Sequence, residues 1–250
     1  MDPAMRSHPL LDAIPLSTPL ACEIVSYPNP YSGHCHDRLE ELRRAGVECL
    51  VSGGRTLLAT RHGRVRVLGK GHSSVVIAAL LGGRLVAAKL RRTDSKRGSL
   101  EGEYRLLREA WRVGAAPKPF HAARDIILME IVPGPLLGEI ARHGLPGEAV
   151  RRALLAARAL DAAGILHREL SRAGKHVAYT SWSPLGQAVI LDYESASQGK
   201  CGSVNRLASW LGNRGLIRWD DNIRIILREY KREGCTLSAF NEFMGSAVPL

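Results

Sequence analysis

Two apolar runs separated by a pair of glycines constrain the fold of this chain most strongly. Residues 75–81 and 85–90 are both strand-sized, and Gly82-Gly83 between them is typical of a hairpin turn. The second run contains one charged residue, Lys89, which follows Val86, Ala87 and Ala88. Burying an unpaired ammonium group is costly, so the pattern predicts a β-hairpin whose lysine needs an acidic partner.

The segment after this hairpin offers two partners for Lys89. Residues 99–113 have helical periodicity and contain Glu101 and Glu103 in their first turns. We expect Glu103 to pair with Lys89, with Glu101 as the alternative. A lysine on the open, solvated face of the strand is the simpler interpretation.

A glycine-rich loop precedes the hairpin and has the form G-x-G-x-x-S-x-V. Its residues Gly69, Lys70, Gly71 and Ser74 lie between two strand-like segments. A loop without side chains at the two glycine positions lets backbone N–H groups approach phosphate oxygens closely. Because a strand and not a helix follows, the loop is not a dinucleotide-binding fingerprint, and alone it is a weak signal that also fits a simple turn.

Positive charge is concentrated in one part of the chain. The net charge is +11, and residues 61–118 carry 14 basic and four acidic side chains. Such a field favours a polyanion as partner, whereas a solvated arginine-rich surface is the alternative. Arginine outnumbers lysine 28 to 7, and asparagine plus glutamine total only seven. This bias is typical of heat-adapted proteins, although genomic base composition produces it too.

The chain divides into three regions. We expect residues 1–46 to be a proline-rich arm and short helix that pack on or precede the strand-rich region 47–131. Residues 132–250 are mostly helical by the same criteria. The predicted helices are 34–45, 99–113, 136–143, 148–163, 204–213 and 219–233. The predicted strands outside the hairpin are 47–51, 56–60, 65–68, 125–131, 177–179 and 188–191.

Cysteine usage and hydropathy predict an interior, reducing compartment. Five cysteines form an odd set without a C-x-x-C motif, which argues against a disulfide scaffold or a zinc ribbon. A zinc site at His34, Cys35 and His36 with Cys22 is a weaker alternative, because the spacing is not usual. No apolar run reaches the length of a membrane helix. We therefore expect a cytoplasmic protein with no membrane association and no stable protein partner.

The order of further motifs resembles the protein-kinase-like fold. After the glycine loop, strand lysine and helix glutamate come a strand ending in Met129-Glu130, then Leu166-His167-Arg168-Glu169-Leu170, and Ile190-Leu191-Asp192-Tyr193-Glu194. The resemblance covers about residues 60–250. It implies an α+β, two-lobed fold in which 47–131 is a β-rich N-lobe and 132–250 a minimal helical C-lobe.

Departures from the kinase pattern narrow the family. Glu169 stands where a kinase has its catalytic Asp, and Gly174 by simple counting, or His176 with a two-residue insertion, replaces the metal-binding Asn. The sequence D-Y-E replaces D-F-G. Only 58 residues follow Asp192, as in the atypical RIO and Bud32 kinases.

The segment H-x-E-L-S-R-x-x-K-H-V, followed by D-Y-E, is similar to the archaeal RNA kinase family. That resemblance implies ATP-dependent phosphorylation of a ribose 2′-OH in tRNA, at a variable-region uridine (U47). A RIO- or Bud32-type protein serine/threonine kinase and a pseudokinase that binds nucleotide or RNA remain alternatives.

The resemblance also implies roles for individual residues. ATP would contact the residues Gly69, Lys70, Gly71, Ser74, Lys89, Glu103, Met129, Glu130 and Val132. Mg²⁺ would be held by Asp192, with His176 as a poorer ligand or a phosphate-orienting group. Glu169 would act on the acceptor hydroxyl, and Lys175 or Arg172 would neutralise the γ-phosphate.

The arginines of the basic region are the expected tRNA contacts. Arg61, Arg64 and Arg66 alternate along a strand-like segment and should share one face. Arg91, Arg92 and Arg97 follow the lysine strand, and Arg172 lies near the acceptor residue. Solvation of the surface, or pairing with acids such as Glu101 and Glu109, is the alternative for these side chains.

Overall fold

The computed structural model describes residues 13–31, 33–143 and 147–248. The chain forms two compact units: unit 1 is Met1–Tyr104 with Lys118–Ile131, and unit 2 is Arg105–Pro117 with Val132–Leu250. The protein is a mixed α+β protein. The first 12 residues of the expected proline-rich arm lie outside the described residues.

Unit 1 is built around an antiparallel sheet. Its strands are β1 (Ala13–Pro15), β2 (Val47–Val51), β3 (Thr56–Thr60), β4 (Gly63–Val67), β5 (Gly69–Lys70), β6 (Ser74–Leu81), β7 (Arg84–Arg91), β8 (Pro119–Ala122) and β9 (Ile126–Met129). Within the described residues, one sheet has the order β1-β2-β6-β7-β9-β8, and β5 pairs with β6 at its side. Strands β3 and β4 form a separate hairpin.

The hairpin expected from the sequence is confirmed. Strands β6 and β7 pair from Ser74 opposite Arg91 to Leu81 opposite Arg84. Gly82 and Gly83 close the turn with φ values of 55° and 73°, which glycine adopts without a Cβ penalty. Strand β7 lies between β6 and β9, so the residues at its end are enclosed on both sides by main chain.

Residues 13–31 and 33–46 belong to unit 1. Helices α1 (Pro19–Val25) and α2 (His34–Arg44) bury Ile24 and Leu42 in the same core as Leu50 and Ile77 of the sheet. Helix α2 was expected, whereas α1 was not. The Thr18 side chain accepts a hydrogen bond from Ala21 N and Pro19 occupies the first turn, a start signal that the proline-rich context obscures.

A buried charge network ties α2 to the sheet. Asp125, just before β9, forms ion pairs with Arg38 of α2 at 3.0 Å and with Arg91 at the end of β7. Arg38 is 1% exposed and also donates to the carbonyl of Val25 at 2.5 Å. Burial alone would raise the pKa of Asp125, but the hydrogen bonds and charges of Arg91 and Arg38 hold it below its usual value.

Unit 2 is largely helical. Helix α3 (Glu101–Arg112) begins in unit 1 and continues into unit 2. The other elements of unit 2 are α4 (Leu137–Ile140), α5 (Gly147–Ala162), β10 (Ile165–Leu166), β11 (Val177–Tyr179), β12 (Ala188–Ile190), β13 (Ser197–Gln198), α6 (Ser203–Gly212), α7 (Asp221–Arg232) and α8 (Leu237–Ala247). Short 3₁₀ helices cover residues 141–143, 168–175 and 193–195. Helix α8 was not expected from the sequence.

Buried Asp161 organises the helices of unit 2. Its carboxylate accepts hydrogen bonds from the backbone N–H groups of Gly202, Ser203 and Val204 at the start of α6, at 2.7–3.1 Å. It also accepts from the hydroxyl of Tyr230 on α7 at 2.9 Å. A buried carboxylate at a helix N-terminus satisfies the unpaired donors there, so Asp161 links α5, α6 and α7.

The expectation of reduced cysteines is wrong. Cys22 is bonded to Cys35, and Cys201 is bonded to Cys235, which leaves Cys49 as the free thiol among the described residues. The first bond joins α1 to α2. Because it uses the thiols of Cys22 and Cys35, it excludes the zinc site proposed as an alternative at these residues. The pairs are 13 and 34 residues apart, and neither spacing forms a motif.

In the described part of the chain, no helix combines the length and apolar character that crossing a bilayer requires.

The Asp125 network predicts an acid-sensitive contribution to stability. Because its pKa is lowered, this contribution is present above the unfolded pKa near 4 and is lost as the pH falls through the lower folded value. Asp125→Asn should lower the free energy of unfolding by about 3–5 kcal/mol at neutral pH and remove this part of the acid dependence. Denaturant unfolding between neutral and acidic pH measures both effects.

The matched control is Glu109→Gln, which breaks an exposed ion pair with Arg112 on α3. Its effect should stay below about 1 kcal/mol. Equal, small losses in both variants would show that the Asp125 network does not hold unit 1 together.

Candidate active site

Lys89 and Glu103 form a buried ion pair in unit 1. Lys89 lies on β7 opposite Val76 of β6 and Ile127 of β9. Its Nζ pairs with Oε1 of Glu103 on α3, and both side chains are 4% exposed. The expected partner is confirmed, and the alternatives, Glu101 and a solvated lysine, are wrong. Glu101 is exposed on the same helix.

The glycine-rich loop turns back on itself in front of β6. Gly71 N donates to the carbonyl of Ser74 at 2.8 Å, and Arg92 Nη1 donates to the carbonyl of Gly71 at 2.9 Å. Ser74 is buried, whereas Lys70 is exposed and its Nζ lies 4.9 Å from the ring centroid of Tyr27. The loop is therefore braced from both sides within unit 1.

Neither glycine of this loop is required by the protein's own packing. A Cβ atom at Gly69 would meet nothing within 4 Å, and one at Gly71 would make ordinary contact with Ser74 O at 3.7 Å. Neither residue has the positive φ that favours glycine. The open space that remains above the two residues is what close approach of a ligand to the backbone would use.

The segment expected to contact adenine is partly occupied by backbone hydrogen bonds. Met129 is half-buried at the end of β9, opposite Ala87. Glu130 N donates to the carbonyl of Lys118 at 2.8 Å, so its N–H group is not available to a base. Val132 begins the next segment of unit 2.

Unit 2 brings Glu169, His176 and Asp192 together. Glu169 lies in the 3₁₀ segment Arg168–Lys175, and its Oε2 is 3.8 Å from Nε2 of His176. Strands β11 and β12 place His176 and Asp192 at the same end of a two-stranded ladder, where Leu191 N donates to the carbonyl of His176 at 2.7 Å. Three residues from two predicted motifs thus form one cluster.

The electrostatics of this cluster keep His176 neutral. Burial lowers the pKa of His176, and Arg172 and Lys175 lower it further, which outweighs the opposite effects of Asp192 and Glu169. Neighbouring His167 is fully buried, and burial lowers its pKa to about 4. Its ring packs edge-on against Tyr193 with centroids 5.0 Å apart, a structural contact.

Asp192 has a strained backbone. Its φ of 65° and ψ of 80° lie in the left-handed region, which costs a non-glycine residue about 1–3 kcal/mol. This backbone conformation turns the chain shortly after β12. As a result, the half-buried carboxylate of Asp192 interacts with His176 and His167. Strain at a residue of this kind is typical of functional positions.

A side chain at Gly174, the residue that simple counting sets against the kinase asparagine, would clash with its neighbours. A Cβ at Gly174 would lie 2.8 Å from Trp210 Cζ2 and 3.2 Å from Gly138 Cα. Any larger residue there would push α4 or α6 away. Gly174 therefore supplies no side-chain ligand, and His176 lies two residues further along the chain.

Asp192 fits Mg²⁺ and His176 does not. Among the described residues, no group of three His, Cys, Asp or Glu side chains is arranged to hold a metal ion. Mg²⁺ in phosphate sites needs only one or two carboxylates, because phosphates and water complete its octahedral shell. The neutral imidazole of His176 is a poor ligand for so hard an ion.

The remaining predicted unit 2 residues are more exposed. Lys175 ends the 3₁₀ segment at the surface, and Arg172 is 76% exposed with Nη2 3.2 Å from Oε2 of Glu169. Both are therefore accessible to a negatively charged ligand. Glu194 lies half-buried in the turn after Asp192.

The structure divides the predicted nucleic-acid residues. Arg64 and Arg66 lie exposed on β4, where they alternate with buried residues and share one face as expected. Arg61 lies instead in the turn between β3 and β4, where its guanidinium carbon is 4.6 Å from the ring centroid of Tyr31. This arginine is therefore presented by a turn and not by a strand face.

The second arginine group is largely structural, which corrects the prediction. Arg91 is buried against Asp125 and donates to the carbonyl of Arg97 at 2.9 Å. Arg92 pairs with Asp94 at 2.6 Å and braces the glycine loop. Arg97 is half-buried. The sequence shows only that these residues are cationic, whereas burial depends on Asp125, 34 residues after Arg91.

Comparisons with known proteins give no family for this chain. No protein-family model matches it, and no curated protein is significantly similar to it. The chemistry of the two clusters therefore carries the functional interpretation.

The strain at Asp192 predicts an unusual order of stabilities. Asp192→Gly removes the carboxylate and relieves the positive φ, whereas Asp192→Ala removes the carboxylate and keeps the strain. The glycine variant should therefore be more stable than the alanine variant by about 1 kcal/mol. Chemical denaturation of the two variants gives the difference directly, because the loss of the carboxylate is common to both. An alanine variant of equal or greater stability would mean that the backbone is not strained here.

Proposed function

We propose that this protein is a phosphotransferase with a two-lobed, protein-kinase-like fold. More specifically, we propose that it transfers the γ-phosphate of ATP to a ribose 2′-OH of tRNA, as the resemblance to the archaeal RNA kinases implies. In this proposal unit 1 supplies the phosphate-binding residues, and unit 2 supplies the residues that act on the acceptor and the metal.

The observation that carries the proposal is the buried Lys89–Glu103 pair. A buried lysine is expensive, and a lone structural role would be filled more cheaply by an apolar side chain. Its position on the second strand after a glycine-rich loop, with the glutamate on the next helix, is the arrangement that kinases use to hold the α- and β-phosphates. The glycines whose Cβ positions are open support the same interpretation.

The chemistry follows from positioning and charge. Lys89 would bind the α- and β-phosphates, and Glu103 would keep its ammonium group oriented. Mg²⁺ held by Asp192 would neutralise phosphate charge. Glu169 would accept the proton of the ribose 2′-OH while the 2′-oxygen forms a bond to the γ-phosphorus of ATP. The bond between the γ-phosphorus and the oxygen that bridges it to the β-phosphate breaks at the same time, and ADP leaves with that oxygen. Arg172, an exposed cation beside Glu169, and Lys175, exposed at the end of the same 3₁₀ segment, would stabilise the transferred group.

Charge supports RNA as the acceptor. Residues 61–118 carry most of the excess positive charge, and Arg64 and Arg66 expose theirs on one face of β4. A polyanion binds more tightly to such a surface because binding releases counterions. A protein substrate does not require a surface of this charge. The protein serine/threonine kinase alternative is retained as an outcome of the test.

Transfer of label from γ-³²P-ATP tests the class and the acceptor together. With purified protein, bulk tRNA and Mg²⁺, we expect label that nuclease removes and protease does not. Asp192→Asn should abolish it, as should the double variant Lys89→Met with Glu103→Gln. The double variant removes the buried pair without leaving one charge unpaired, so it should fold. Protease-sensitive label would favour the protein kinase, and undiminished transfer by Asp192→Asn would contradict the proposal.

Glu169 tests the acceptor step. Glu169→Asp keeps a carboxylate and should retain partial activity, whereas Glu169→Gln should lower kcat by about 100-fold or more, the usual scale for a general base. The KM for ATP should change little in both. Steady-state kinetics of the wild type, Glu169→Asp and Glu169→Gln measure these effects. Equal kcat values in all three would show that Glu169 takes no part in the chemical step. Arg168→Gln, an exposed neighbour, serves as the control.

A further inference from the structure

Two adjoining cavities on unit 1 share part of their walls and form one cleft. They have volumes of about 450 and about 350 Å³ and share Glu23, Pro30, Tyr31 and Arg61 in their walls. The cleft lies between the loop that joins α1 to α2 and the turn that joins β3 to β4. We call it the Tyr31 cleft.

An exposed aromatic ring forms one wall of the Tyr31 cleft. Tyr31 is 73% exposed, and the guanidinium of Arg61 lies over its ring at 4.6 Å. A ring held by a cation, with most of its side chain still exposed, retains surface for stacking a second planar group. The natural planar ligand beside a cation is a nucleobase with its phosphate.

Buried Glu23 fixes the opposite side of the cleft. Its carboxylate accepts from the backbone N–H of His62 at 3.1 Å and lies 3.0 Å from Nδ1 of the same residue. Burial would raise the pKa of Glu23, but these hydrogen bonds hold it below its usual value. The ionised carboxylate thus anchors the turn that carries Arg61 and leaves the His62 ring 55% exposed.

A second aromatic ring with cations lies at the other end of the cleft. Tyr27 lines the smaller cavity, and its ring centroid is 4.9 Å from Lys70 Nζ and 5.3 Å from Arg92 Cζ. Lys70 belongs to the glycine-rich loop, so the cleft runs beside that loop within unit 1. Two aromatic rings on a basic surface, one beside one cation and the other beside two, form the pattern that binds single-stranded nucleic acid.

The loop that carries both rings is held in place before any ligand binds. The Cys22–Cys35 bond joins the two helices that flank it. Thr93 N donates to the carbonyl of Tyr27 at 2.9 Å, and Tyr31 N donates to Oδ1 of Asn29 at 3.1 Å. A preorganised loop of this kind loses little conformational entropy on binding.

We propose that the Tyr31 cleft binds an unpaired segment of RNA, with one base stacked on Tyr31 and the adjacent phosphates on Arg61 and His62. The proposal rests on RNA being the substrate of the proposed function and adds a binding site to it.

Binding of a short fluorescent single-stranded RNA, measured by anisotropy without ATP, tests this site. Tyr31→Ala should raise Kd by roughly 5- to 150-fold, the range for loss of one stacked base, and Tyr31→Phe should stay within about twofold of the wild type. Arg61→Gln should lower the slope of log Kd against log salt by about 0.7, one phosphate contact. A blunt duplex of the same length should show no dependence on Tyr31.

Trp182→Ala is the matched control, because Trp182 is an aromatic side chain of unit 2 that is 50% exposed. It should leave Kd unchanged. An unchanged Kd for Tyr31→Ala, or equal losses for Tyr31→Ala and Trp182→Ala, would overturn the proposal. So would a loss for Tyr31→Ala that is equally large with the duplex, since duplex RNA offers no free base.

The two proposals fail in different ways. RNA binding that depends on Tyr31, in a protein that transfers no phosphate, would support the cleft and contradict the proposed function. Phosphate transfer to tRNA with a KM that Tyr31→Ala does not change would support the function and contradict the cleft.

Discussion

Unit 1 depends on the pairing of buried cations at the end of strand β7. Lys89 and Arg91 are two residues apart, so they point to the same face of the strand. Each lies below 10% exposure and needs a carboxylate, because an unpaired buried charge costs several kcal/mol. Glu103 serves Lys89 and Asp125 serves Arg91. Arg38 joins the second pair and thereby fixes α2 against the sheet. Two carboxylates thus link α2, α3 and the segment before β9 to one strand.

The sequence predicts the features of this unit that arise from local rules. The hairpin follows from two apolar runs and Gly82-Gly83, and the Lys89–Glu103 pair follows from the cost of burying an ammonium group. The sequence could not show that Arg91 is buried. Its partner Asp125 is distant in the chain, and nothing in the surrounding sequence distinguishes Asp125 from other acidic residues. The same limit applies to the Cys22–Cys35 bond, which depends on how α1 and α2 pack and has no sequence motif.

For the cluster of Glu169, His176 and Asp192 in unit 2, the sequence again predicts some features, and tertiary packing determines the others. The resemblance of the motifs to those of kinases predicts that Glu169 and Asp192 belong to one site. The β11–β12 ladder explains how they and His176 come together. Simple counting sets Gly174 against the kinase asparagine, and a two-residue insertion sets His176 there, so the sequence leaves both open. In the structure, Trp210 and Gly138 leave no room for a side chain at Gly174. The aromatic rings of the Tyr31 cleft were likewise missed, since Tyr27 and Tyr31 gain meaning only beside Lys70 and Arg61.

The position of the phosphate in the product tests the central claim most directly. Alkali cleaves RNA through attack of each 2′-OH on the neighbouring phosphodiester, so a 2′-phosphate blocks cleavage at its own nucleotide. After incubation of tRNA with the protein and γ-³²P-ATP, complete alkaline hydrolysis should leave the label in one alkali-resistant dinucleotide. Treatment of that dinucleotide with a phosphatase should release the label and restore cleavage by alkali. Label recovered in mononucleotides, or in protein, would contradict the account.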